Sequence, residues 1–136
     1  MSYHIVFNRD TDVIKAFDES NGTLKWTAQC RNVTVNDGFG HWGMCPPGEY
    51  KLDSPEIINP PEIPFGAWFI PLLDVNGLWK VAHRSAIGIH GGGSGLPDPF
   101  AAHQGWQITE GCFRLQNSDL THLVTLVKGG ERFTVT

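Results

Sequence analysis

Two side chains in this sequence have the types that covalent acyl transfer needs, a thiol at Cys112 and an imidazole at His90. A cysteine thiol has an ordinary pKa of about 8.5, so only a few per cent is thiolate at neutral pH. An imidazolium beside it lowers that value, at about 1.4 kcal/mol per pH unit. The reaction also needs backbone N–H groups to hold an oxyanion, and a glycine next to the nucleophile lets substrate approach the chain. Both requirements have a counterpart here. Ile87-Gly-Ile-His90 runs into Gly91-Gly-Gly-Ser-Gly95, and Cys112 follows Gly111 in Thr109-Glu-Gly-Cys-Phe-Arg-Leu-Gln-Asn-Ser-Asp119.

By residue type alone, other readings stand beside this one. A loop histidine and a buried structural thiol would give the same letters. His103 lies closer to Cys112 in sequence and competes with His90 as the base, while His41, His83 and His122 read as surface residues. A zinc peptidase built from His83, His90 and Cys112 is conceivable, but no His-Glu-x-x-His motif is present. The Gly91–Gly95 cluster lacks the following Lys-Ser/Thr of a phosphate loop, so it reads as the bend beside His90.

These residues must be held by strands. The chain has 136 residues, 40% apolar and 18% charged, with 16 Gly and 9 Pro, which suits one folded, turn-rich domain over residues 1–136. A net charge of −4 gives no basic footprint, so nucleic acid and anionic membrane surfaces are excluded as expected partners. No apolar run of about 18 residues exists, so no membrane insertion is expected. The start lacks a basic segment followed by an apolar one, so no secretory leader is expected there. Cys30 and Cys45 either pair or stay thiols, which the sequence leaves open.

Strands are expected at Val13–Phe17 and Thr23–Thr27 around the turn Asp18-Glu-Ser-Asn-Gly22, and at Tyr50–Leu52 after the turn Cys45-Pro-Pro-Gly48. Asp53–Pro64 carries Pro55, Pro60, Pro61 and Pro64 and reads as a loop. Ala67–Ile70 and Leu78–Ala82 read as strands joined by a turn at Asn76-Gly77, and Arg132–Val135 as a closing strand. Only Leu120, Leu123, Val124 and Val127 keep helical spacing. Asn117 or Ser118 is the expected cap, Asp119 and Lys128 lie in the first and last turns, and Gly129-Gly130 is the stop. His90 thus ends a strand, and Cys112 sits near a strand end just before the helix. The loop between His90 and Thr109, with Pro97, Asp98, Pro99, His103 and Trp106, reads as a wall of the substrate cleft, Trp106 being its platform.

His90-Gly91 followed by Thr109-x-Gly-Cys-Phe-Arg-Leu-x-Asn-x-Asp119 resembles the signature of L,D-transpeptidase (YkuD-type) catalytic domains. That signature is His-Gly, a loop, then Ser/Thr-x-Gly-Cys-aliphatic-Arg-Met/Leu-x-Asn-x-Asp. Pro46-Pro-Gly48-Glu-Tyr50-Lys-Leu52 is similar to a turn and strand upstream in the same family. The resemblance implies a mostly-β sandwich or barrel with one short helix after the nucleophile. It implies that Cys112 attacks the carbonyl of the third residue of a peptidoglycan stem peptide, releasing the terminal D-amino acid. His90 would take the thiol proton, the Gly91 carbonyl would orient the imidazole, and the Gly111 and Cys112 N–H groups would hold the oxyanion. Arg114 would brace the site or meet a substrate carboxylate, and Thr109, Trp106 and Asn117 would complete the substrate-binding set. No metal or cofactor is implied.

Glu110 stands where the family often has His, and a carboxylate beside Cys112 disfavours the thiolate unless it faces solvent or pairs with Arg114. This keeps open a second reading, an inactive peptidoglycan-binding module of the same fold. Cross-linking, trimming and D-amino-acid exchange share one acyl-enzyme and stay open as outcomes. The expected place of action is the periplasm or cell wall, reached through delivery by a phage tail or a secretion machine.

Overall fold

Period-two burial builds the first three strands. In β1 (Tyr3–Asn8) Ile5 and Phe7 turn inward, in β2 (Val13–Asp18) Ile14 and Ala16 do, and in β3 (Leu24–Arg31) Trp26 and Cys30 do. The computed structural model describes residues 2–32, 36–39, 43–76, 87–109 and 111–136. Further strands are β4 (Asn36–Phe39), β5 (Gly43–Met44), β6 (Gly48–Leu52), β7 (Glu56–Glu62), β8 (Gly66–Leu73), β9 (Gly88–His90), β10 (Phe113–Leu115) and β11 (Arg132–Val135). Among the described residues one helix, α1 (Asn117–Leu126), follows β10.

The fold is mostly β and closes on itself. Neighbours run β6-β11-β1-β2-β3-β10-β9-β8, and β8 pairs back to β6 through Leu72 and Leu73, with β7 attached outside the ring on β8. β4 and β5 form a separate small parallel pair. The barrel interior is apolar, and the Phe113 ring meets Phe7 and Phe133 edge-on at centroid distances of 5.0 and 5.3 Å. Helix α1 closes one side with buried Leu120 and Leu123.

Two local expectations are corrected. Asp53–Pro64 is not all loop, because β7 pairs with β8. Proline cannot donate to a ladder, yet β7 is an edge strand bonded on one side, and its register slips between Ile57 and Glu62, where Pro60 and Pro61 lie. The helix is capped at Gln116 with no side-chain bond, and its last turn holds no basic residue, because Val127 already leaves the helical conformation. The expected strand Leu78–Ala82 and Gly77 of its turn lie outside the described residues. All three cysteines are thiols, with Cys30 and Cys45 buried apart from any disulfide.

Candidate functional site

Register places the chemical residues in a row. Arg31 of β3 pairs with Arg114 of β10, Arg114 with His90 of β9, and His90 with Phe69 of β8. Directly paired residues share a face of a sheet. The alternate residues Cys30, Phe113, Leu115, Ile89 and Ile70 are fully buried in the core, so the Arg31–Arg114–His90–Phe69 face is the outer one. Cys112, half-buried, immediately precedes β10 and stands two residues before Arg114. It is packed against the edge of the core cluster.

The imidazole of His90 is buried between aromatic rings, with Phe65 edge-on at 5.0 Å and Phe69 stacked at 6.1 Å. Its Nδ1 donates to the Gly91 carbonyl at 2.8 Å, which fixes the tautomer and leaves the Nε2 lone pair as the basic atom. Burial lowers the His90 pKa to about 4, the Gly91 bond opposing and the Arg114 charge assisting. At neutral pH the ring is neutral, so the resting site presents a base and not the imidazolium that sequence reasoning invoked.

This has a consequence for stability. The unfolded chain takes up a proton at this histidine near pH 6.5, the folded chain only near pH 4. The contribution is complete above 6.5 and is lost as pH falls from 6.5 to about 4, roughly 3 kcal/mol in all. His90→Gln protein should lack this part of the acid slope of its denaturant midpoint. His4, whose pKa burial and then Arg132 also lower, slopes the same way in both proteins and cancels. Equal slopes in the two proteins would place the loss elsewhere.

Arg114 is buried and spends its guanidinium on the protein. It donates from Nε to Gly91 O at 3.3 Å, from Nη1 to Gln107 O at 2.7 Å and Ile108 O at 3.3 Å, and from Nη2 to Pro64 O at 3.2 Å. Burial lowers its pKa, and the nearby Cys112 charge opposes that. One side chain thus ties the Gly91 bend, the 107–108 segment and the end of the β7–β8 turn together.

Asn117 works in the same inward sense. Its Oδ1 accepts from Gly92 N at 3.0 Å, and its Nδ2 donates to Pro99 O and Ala101 O at 2.8 and 2.7 Å. A side chain at position 91 would collide with Asn117 Oδ1, which is why glycine stands beside His90. Thr109 Oγ1 donates to Cys112 O at 2.7 Å and accepts from Gly111 N at 3.3 Å. So Thr109, expected at the substrate, Arg114, expected to brace the site or meet a substrate carboxylate, and Asn117, expected both at the helix start and in the substrate-binding set, direct these polar atoms to the chain's own backbone. The Gly111 N–H, expected at the oxyanion, meets Thr109.

Trp106 is half-buried with the Arg31 guanidinium over its ring at 4.7 Å. His103 is exposed in the loop, away from the paired row. Sequence reasoning missed Asn32, which is buried and bonded to both Gly111 O and Cys112 O, and Gln104, which bonds Gly92 O, Leu115 O and Asn117 N. A lone Asn or Gln carries no periodic signal, so nothing in the letters marks either. Glu110, His41 and His83 lie outside the described residues. Among the described residues no three His, Cys, Asp or Glu side chains converge as a metal site would require, and no helix is long and apolar enough to cross a membrane.

Several solved structures share this architecture. Bd1075 of Bdellovibrio bacteriovorus superposes with a TM-score of 0.71 at 16% identity, covering 98% of this chain and 47% of that one. The helical cell shape determining protein Pgp2 of Campylobacter jejuni gives 0.71 at 17%, covering 98% and 47%. A mutant of the Enterococcus faecium L,D-transpeptidase gives 0.65 at 12%, covering 100% and 50%. At such identities the likeness concerns the fold, and this chain spans about half the length of each. No curated protein sequence matches it. The family described as the L,D-transpeptidase catalytic domain (YkuD) matches residues 2–135. A match over nearly the whole chain, on a closed barrel of the same fold, shows that this chain belongs to the L,D-transpeptidase catalytic domain family.

Proposed function

We propose that residues 1–136 act as one cysteine acyl-transfer domain on peptidoglycan stem peptides. The observation that supports this reading is the pairing of β9 with β10, which sets the oriented imidazole of His90 opposite Arg114, two residues after Cys112. Cys112 Sγ attacks the carbonyl of the third stem residue as its proton passes to His90 Nε2. That proton then goes to the departing amine of the terminal D-residue, leaving a thioester. An incoming amine or water gives its proton to His90, attacks the thioester and restores the thiol. No metal or cofactor has a part in these steps.

The test is mass spectrometry of tetrapeptide-bearing muropeptides incubated with the protein and with its Cys112→Ala variant. Loss of a terminal residue, exchange or dimer formation that depends on Cys112 supports the reading and names the outcome. Folded protein that leaves the muropeptides unchanged would turn the reading into the inactive wall-binding module.

Trp106 serves in this reading as a platform held by Arg31. Trp106→Ala should raise KM by roughly tenfold with kcat little changed, since a platform binds ground state and transition state alike. Unchanged KM and an intact fold would remove Trp106 from the substrate cleft.

A further inference from the structure

The peptide that carries Cys112 is gripped from behind by a residue far away in sequence. Asn32, buried just past the end of β3, donates from Nδ2 to Gly111 O at 2.6 Å and to Cys112 O at 3.0 Å. Its Oδ1 accepts from Cys45 N at 2.9 Å, so the amide is itself held in place from the other side. Thr109 Oγ1 adds a third donation, to Cys112 O at 2.7 Å.

A peptide unit is planar and trans, so its C=O and N–H point to opposite sides. With the Gly111 carbonyl drawn onto Asn32, the Cys112 N–H of that same peptide is directed away from Asn32. The angle between the two carbonyls is set at Cys112, the residue between the two peptide planes, and the chain enters this arrangement through Gly111 at a φ of 110°, a conformation that L side chains rarely adopt. Fixing the peptides on both sides of Cys112 also fixes where its Cα–Cβ bond points.

We propose that Asn32 is a positioning residue for acyl transfer: by holding the two carbonyls that bracket Cys112, it sets the directions of the Cys112 N–H and side chain. The inference rests on the reading of Cys112 as nucleophile. Addition to a carbonyl needs both a placed thiolate and a placed N–H for the developing oxyanion, and small misplacements cost roughly 10²-fold in rate. Displacement at an alkyl halide needs the thiolate alone.

The two chemistries can be read on one protein by intact mass, with p-nitrophenyl acetate as acyl donor and iodoacetamide as alkylating agent. Asn32→Ala removes both halves of the clamp. Asn32→Leu, a neutral side chain of similar size, removes the amide without leaving its space empty or adding a charge beside the thiol, and it carries the test if the alanine protein does not fold. In either variant acylation of Cys112 should fall roughly 10²-fold, while alkylation should stay within about threefold of wild type. Thr109→Val, which leaves the Asn32 bonds in place, should lie between wild type and these variants.

Acylation and alkylation falling together would show a general loss of structure and overturn the proposal, as would acylation at the wild-type rate. If the wild-type protein forms no acyl adduct that depends on Cys112, the nucleophile reading itself fails and takes the proposal with it. That result is distinct from a wild-type adduct that the Asn32 variants match.

Discussion

Cys112→Ala protein is expected to yield no product from stem peptides, a fall in turnover of roughly 10⁴-fold or more, while its denaturant midpoint moves by about 1 kcal/mol or less. The size follows from the role: without the thiol no covalent intermediate forms, and the neighbouring groups retain only binding and polarisation. The small stability change follows from position, because Cys112 is half-buried at a strand end and only packs against the edge of the core cluster. Cys112→Ser should not restore turnover. A hydroxyl is far harder to ionise than a thiol, and the His90 ring, held to a pKa of about 4, is too weak a base to compensate. Quantifying muropeptide products beside circular dichroism checks both halves. Retention of more than a few per cent of the turnover would move the nucleophile elsewhere.

Arg114→Met is expected to destabilise the protein by roughly 3 kcal/mol or more, and to abolish turnover with it. Four carbonyls on three segments, Gly91, Gln107, Ile108 and Pro64, lose a charged donor at once; Gly91 O keeps the His90 bond, and buried acceptors left unmet cost about 1–3 kcal/mol each. Water can reach some of them after the change, so the sum is not additive. Arg114→Lys should rescue little, because one ammonium cannot span a planar fork aimed in several directions. Denaturant midpoints would read the stability, and limited proteolysis would read release of the 92–109 loop. A variant of wild-type stability that had merely lost substrate affinity would instead assign Arg114 to a substrate carboxylate.

What the sequence made legible was whatever repeats locally. The Leu120, Leu123, Val124, Val127 spacing marks the helix, and the run Ile87–Ile89 before a glycine cluster marks the strand that ends at His90. The motif around Cys112 gave the family. Proline misled at β7, since the rule against proline in strands holds where both edges of a strand are bonded, and β7 is bonded at one. The cap was misplaced by one residue because Asn117 answers a tertiary demand: its amide is engaged with Gly92, Pro99 and Ala101, and Gln116 takes the cap position. Arg114 and Thr109 were seen as site residues, but their bonds to the chain's own carbonyls depend on loops folded over them. Asn32 was invisible for the same reason. Its partners Gly111 and Cys112 lead into the neighbouring strand β10, distant in sequence, and no window of sequence contains both.

The pairing order of the barrel also bears on how the chain reaches this state. β11, the last strand, lies between β6 and β1, parallel to β1 with Ile5 opposite Phe133 and antiparallel to β6 with Tyr50 opposite Phe133. Until β11 is in place, β1 and β6 each present an open edge with unmet backbone groups, a state prone to pairing with another chain. Contacts such as Ile5 with Phe133 must wait for a large loop to close, which places folding in the millisecond-to-second range expected of non-local β topologies. A chain whose β11 is not yet in place would therefore hold Phe113 without the Phe133 ring it packs against, with β10 assembled but its floor missing.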